Sequence, residues 1–124
     1  MNIREKIISE CSKNISREIC GFVIKTDNGF DVKPMDNKAT QPEKEFYIPA
    51  QDFLYVKRNY EVVAIYHSHI IGDDQPSDYD LKTSDLICYP FVIFSIKNNT
   101  IHVHTPEELD VDIKIVNKLK EDLK

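Results

Sequence analysis

The sequence predicts an α/β fold of the α+β type, a mixed β-sheet flanked by helices. Three observations carry that expectation. Residues 19–24 and 62–67 are short apolar runs rich in β-branched side chains, as buried strands are. Residues 3–11 and the end of the chain instead space their apolar side chains as a helix does. The two kinds of segment are also intermixed along the chain, so they do not separate into an all-helical part and an all-strand part.

Taken in order, residues 3–11 form an amphipathic helix whose buried stripe is Ile3, Ile7, Ile8 and Cys11. Residues 19–24 follow as a strand, with Gly21 marking a bulge or a close backbone approach. Asp27-Asn28-Gly29 supplies the turn, and residues 30–32 return as the hairpin partner. Residues 33–45, with Pro34 and Pro42 among polar side chains, form a loop. Residues 49–60 are helical, since Phe53, Leu54, Val56 and Tyr60 fall near helical spacing and Pro49 suits a helix start. The strand at residues 62–67 precedes a helix over 77–87, strands at 91–96 and 101–104 joined at Asn98-Asn99, and a helical tail over 107–123. No repeat or boundary interrupts the series, so residues 1–124 are expected to form a single domain.

Composition narrows the function classes. With 41% hydrophobic and 30% charged residues, the chain has the balance of a globular protein and not of a disordered one. Its net charge of -5, with Lys114, Lys118, Lys120 and Lys124 interleaved with acids, leaves no basic stripe for a nucleic acid. The apolar stretches are too short for membrane insertion, and no apolar run follows Met1, so no signal peptide and a cytoplasmic location are expected. Three cysteines without CxxC spacing point to free thiols, each a small core filler.

The chemistry concentrates in residues 67–80. On a strand, His67 and His69 project to the same face, so two imidazoles can reach one ion. Asp80 lies beyond a loop long enough to turn back toward the strand end. Ser77-Asp78-Tyr79-Asp80 is also a capping box, and the helix N-terminus it begins favours the ionised carboxylate that a ligand must have. Alone, a His-x-His pair is ordinary strand decoration and Ser-x-x-Asp an ordinary cap. Together they describe three zinc ligands with one open position, the arrangement of a hydrolytic site. His102 and His104 form a second such pair, but no suitable carboxylate follows, and they are expected to be surface strand residues. Other metal and nucleophile signatures are absent: no His-Glu-x-x-His, no Pro-Cys-x-x-Cys, no Gly-x-Ser-x-Gly.

His67-x-His69, seven residues, Ser77, two residues and Asp80, with Glu18 upstream in Arg17-Glu18-Ile19-Cys20-Gly21-Phe22, resembles the JAMM motif of the JAB/MPN metallopeptidase family. The resemblance runs from about residue 18 to residue 96. In residues 43–52 and 76–96 it is similar to the JAB domain of lambda-type phage tail-tip assembly proteins.

The resemblance implies a curved sheet of cytidine-deaminase-like architecture and a Zn2+ cofactor held by His67, His69 and Asp80. It further implies Glu18 as general base and Ser77 as donor to the oxyanion, in hydrolysis of a peptide or isopeptide bond. One departure stands out: Ile70 follows the second histidine where the family usually has proline. The implied partners are a peptide or protein substrate, phage tail-tip proteins or an NlpC/P60 peptidase, for whose domain this chain is too short. The implied location is the host cytoplasm or the virion tail. Two alternatives stay open: a non-catalytic assembly module of a tail tip, and a bacterial deconjugase acting on a ubiquitin-like protein.

Overall fold

The computed structural model describes residues 1–124 and starts its sheet with a tight hairpin. Strand β1 (Cys20–Thr26) pairs antiparallel with β2 (Gly29–Met35), and Thr26 faces Gly29 across a two-residue turn, Asp27-Asn28. Gly29 lies at φ 134°, a conformation that side chains with a Cβ rarely adopt. The hairpin partner runs to Met35, so Pro34 belongs to a strand and not to the expected loop. It is tolerated because β2 lies at the sheet edge, where a proline's missing N–H costs least.

β1 also pairs antiparallel with β3 (Glu61–His69), which pairs parallel with β4 (Phe91–Ser95); β4 then pairs antiparallel with β5 (Thr100–His104). The order is β2-β1-β3-β4-β5. The parallel step needs a crossover, and α3 (Asp78–Ile87) is part of it. β3 therefore lies at the centre, with residues 62–68 all buried.

Each face of the sheet carries its own core. On one side Val23, Val63, Tyr66, Val92 and Phe94 meet Ile3, Ile7 and Cys11 of α1 (Ile3–Cys11) and Leu119 of α4 (Ile113–Asp122). On the other, Phe22, Ile65, Phe91 and Ile93 meet Val56 of α2 (Ala50–Asn59) with Phe46 and Tyr89. Gly21 is a site of close approach: a Cβ there would come within 2.5 Å of the Tyr66 hydroxyl and 2.6 Å of the Lys33 carbonyl oxygen.

The tail departs from expectation. Residues 105–112 are irregular, and helix starts only at Ile113, because the Asp112 side chain accepts from the Lys114 N–H at 2.9 Å and caps it there. Upstream, the Asp110 N–H donates to the Cys88 carbonyl at 2.8 Å, and Pro106 is buried. All three cysteines are free, but Cys88 is only half-buried and closes α3 in the left-handed conformation, at φ 63°, so it is no core filler. No helix is long and apolar enough to cross a membrane.

Candidate metal centre

Strand alternation delivers His67 and His69 to the face of β3 that carries Ile65, under the aromatic cluster of the second core. His67 is completely buried between two phenyl rings, Phe46 stacked at 4.4 Å and Phe91 edge-on at 5.4 Å. After the loop of residues 70–76, Ser77 caps α3. Its Oγ accepts from the Asp80 N–H at 3.1 Å, and the Ser77 N–H donates to Asp80 Oδ2 at 3.0 Å. That cap turns the carboxylate toward the strand end. Asp80 Oδ1 lies 3.1 Å from His67 Nε2 and Oδ2 lies 2.9 Å from His69 Nε2, while the two Nε2 atoms are 3.3 Å apart.

The proton inventory of this cluster identifies what fits it. His69 Nδ1 is 2.8 Å from the Asp73 carbonyl oxygen, which can only accept, so Nδ1 carries a proton and donates it. In a neutral ring Nε2 is then a bare lone pair, yet it faces a carboxylate oxygen and a second imidazole nitrogen at hydrogen-bond distance. Lone pairs so placed repel unless a proton or a cation lies among them. Two imidazole nitrogens and one carboxylate oxygen, with the outer nitrogen of one ring fixed by a backbone carbonyl, are a donor set suited to Zn2+.

The electrostatics agree with a site built for positive charge. Burial alone would raise the Asp80 carboxyl, but hydrogen bonding with His67, the charge of His67, hydrogen bonding with His69 and the Ser77 N–H hold it far below the usual range. Burial lowers the His67 imidazole despite the adjacent carboxylate, favouring the neutral ring that can act as a ligand. Burial acts the same way on His69, whose side chain is 12% exposed. There the hydrogen bonds to Asp80 and to the Asp73 carbonyl outweigh it and raise the imidazole.

Glu18 sits just before β1 and is only 5% exposed, so it is not the solvated strand-end residue that such a position ordinarily gives. Burial pushes its carboxyl up to about 8, with the charge of His69 opposing and those of Asp80 and Glu45 adding to the rise. The cluster and Glu18 thus feel one another's charge. Neighbouring Cys20 is pushed up to about 12 by burial and has no nucleophilic character at neutral pH. His102 and His104 stay outside the cluster, half-buried on β5 and not on the open surface.

Three contributors have no motif in the sequence. The Asp73 carbonyl orients His69, and a backbone oxygen leaves no trace in residue types. Phe46 roofs His67, and Asn37 ties the loop carrying Phe46 to the start of β1. Beside the cluster, Phe46 and Tyr79 also form one end of an apolar groove of about 550 Å³ between α2 and α3. Leu54 and Leu86 on its rim are 51% and 84% exposed, more than a side chain with a packing role would be.

Residues 2–108 match the family described as prokaryotic homologs of the JAB domain. Over 91 residues the chain is 29% identical to tail tip assembly protein K of Escherichia phage N15, covering 73% of this chain but only 37% of that protein. A protein of Desulfitobacterium hafniense known from its solution structure superposes with a TM-score of 0.60 at 17% identity, covering 86% of this chain and 90% of the other. A JAB1/MPN domain protein from Archaeoglobus fulgidus superposes with a TM-score of 0.51 at 14% identity, covering 90% and 95%. At these identities the structural likenesses establish the fold alone.

Proposed function

Since the chain belongs to the family of prokaryotic JAB-domain homologs, we propose that it is a zinc-dependent hydrolase cleaving a peptide or isopeptide bond. The observation that supports this most is the convergence of His67, His69 and Asp80, with a buried Glu18 close enough for its charge to interact with those of His69 and Asp80. The three ligands would hold the ion and keep their geometry through the strand, the α3 cap and the Asp73 carbonyl. Zinc, when bound, supplies a Lewis acid that brings the pKa of water to about 7.

The remaining work falls to the chain's own groups. Glu18 in its ionised form, which a cation held by the three ligands would favour over the protonated form of the metal-free cluster, would take the proton of the attacking water and return it to the amine as the C–N bond breaks. Ser77 Oγ already accepts from the Asp80 N–H, which leaves its own O–H free to donate to the charge developing on the carbonyl oxygen. An apolar substrate side chain would find room in the groove between α2 and α3, whose lining includes Phe46, the ring stacked on His67.

Zinc content and turnover of apolar-containing peptides, measured on three proteins, test this proposal. The parent is expected to bind about one zinc per chain. His67→Ala should lose both metal and activity, whereas Glu18→Gln should lose activity and keep the metal. Full activity in Glu18→Gln would remove the mechanism.

Similarity to tail tip assembly protein K favours a second role, as a component of a phage tail that contacts other tail proteins; an NlpC/P60 peptidase is a proposed partner on the motif resemblance alone. The chain would then act in the host cytoplasm or the virion tail. A phage encoding Asp80→Ala distinguishes the two roles: normal tails and infection would make the metal cluster dispensable and leave the scaffold role standing.

A further inference from the structure

We infer that Asn37 is a positioning residue that sets both Glu18 and the Phe46 roof against the histidine pair, an inference that rests on the role proposed above for Glu18. Asn37 follows β2 in the irregular stretch before α2 and is only 9% exposed. A buried amide without partners would be costly, and this one uses its full capacity. Its Nδ2 donates to the Glu18 carbonyl at 3.0 Å and to the Glu45 carbonyl at 3.0 Å, with the Pro42 carbonyl at 3.5 Å. Its Oδ1 accepts from the Ala39 N–H at 3.0 Å and the Tyr47 N–H at 3.1 Å.

These partners are the two halves of the site. Glu18 is held on both sides, since its N–H donates to the Pro42 carbonyl at 2.7 Å while its carbonyl accepts from Asn37. Glu45 and Tyr47 bracket Phe46, whose ring lies on His67 and whose carbonyl accepts from the Tyr79 hydroxyl at 2.9 Å. Residues 37–47 have no strand or helix ladder to order them. Backbone bonds from Lys38 N–H to the Tyr47 carbonyl at 3.0 Å and from Lys44 and Glu45 to the Gln41 carbonyl close the loop on itself, and the Asn37 side chain connects it to the proposed base, joining that base to the ring that covers a proposed metal ligand. The donor and acceptor sides have different partners: Nδ2 holds the Glu18 and Glu45 carbonyls, Oδ1 holds the Ala39 and Tyr47 amides, and only the donor side reaches Glu18.

Two variants divide those sides. Asn37→Ala removes both, while Asn37→Asp keeps the acceptor and turns the two donated bonds into carboxylate–carbonyl oppositions. Amide hydrogen exchange gives the structural readout. In Asn37→Ala the Glu18, Ala39 and Tyr47 amides should each exchange roughly tenfold faster or more, with core β3 amides unchanged. In Asn37→Asp the Ala39 and Tyr47 amides should stay protected while Glu18 loosens. Titration with zinc alone should give an unchanged stoichiometry in both.

For turnover, kcat should fall about 100-fold in each variant with KM little changed, because misplacing a base leaves binding intact. Adding Asn37→Asp to Glu18→Gln should cost nothing further, since the effect passes through Glu18. Multiplicative losses in that cycle, or unchanged exchange at Glu18 in both variants, would overturn the inference. If the parent protein turns over no peptide, the proposed hydrolase fails. The exchange pattern and the His67 ring resonances, which sense the stacked Phe46, still decide whether Asn37 places both groups.

Discussion

Replacing Glu18 by Gln should make the metal-free protein more stable at alkaline pH and leave it nearly unchanged in acid. The carboxyl ordinarily titrates at 4.5 and is held at about 8 in the folded chain, chiefly by burial. Below 4.5 it is protonated in both folded and unfolded states and contributes no pH dependence. Between 4.5 and about 8 the folded state retains a proton that the unfolded state has released, so stability falls as pH rises through that window. Above it, both states are ionised and the penalty is constant. At about 1.4 kcal/mol per pH unit the displacement corresponds to at most roughly 5 kcal/mol. Water entry and side-chain relaxation reduce this, and about 2 kcal/mol is the expected gain for Glu18→Gln near pH 9. For a chain of this size that is a Tm higher by roughly 8 °C. Urea unfolding followed by far-UV circular dichroism, in chelator at about pH 5, 7 and 9, gives the comparison. Any fixed cost of burying the Gln amide is the same at every pH, so the change in the gap is what counts. A gap that stays constant from acid to alkali would refute the assignment of a buried, proton-retaining Glu18.

Three further outcomes follow from the geometry. His67→Ala should release the metal and also cost about 2–4 kcal/mol in chelator, since a fully buried ring stacked on Phe46 leaves a cavity; metal analysis and urea titration measure the two effects separately. Ser77→Ala should lower stability by about 1 kcal/mol through the lost cap and kcat by roughly 100-fold or more through the lost oxyanion donor, with zinc stoichiometry kept. Tyr66→Phe should leave stability unchanged or raise it by up to about 1 kcal/mol in thermal unfolding, because the Tyr66 hydroxyl is buried with no partner.

The elements that the sequence marked correctly are those whose signal is local. β-branched density marks β3, and apolar spacing marks α1 and α2 to within a residue or two of their ends. Errors came where a tertiary contact overrode the local pattern. Pro34 looks like a strand breaker until β2 is known to be the sheet edge. The late helix looks longer than it is, because neither the Asp112 cap nor the tether from Asp110 to the Cys88 carbonyl can be read from periodicity. Within the site, side chains with distinctive chemistry were visible as a spacing. The groups that hold them were not: the Asp73 carbonyl is backbone, and Asn37 is one polar residue in a loop of polar residues.

Ser77 and Asp80 show why the spacing was informative at all. A capping box requires Asp80 to reach back over the N-terminus of α3, toward the Ser77 N–H. A shared ligand role requires the same carboxylate to face the end of β3, where His67 and His69 emerge. Because the loop brings the start of α3 to the end of β3, one orientation meets both demands, and the Ser77 N–H that caps the helix also stabilises the ionised ligand. The helix start is therefore part of the candidate metal centre, and a change that merely weakens the cap should loosen the proposed ligand set as well. Ser77→Ala tests that coupling: it keeps the backbone N–H to Asp80 and removes only the Oγ. Zinc affinity should then fall less than tenfold, whereas Asp80→Asn, which removes the charge and disturbs the cap, should abolish binding.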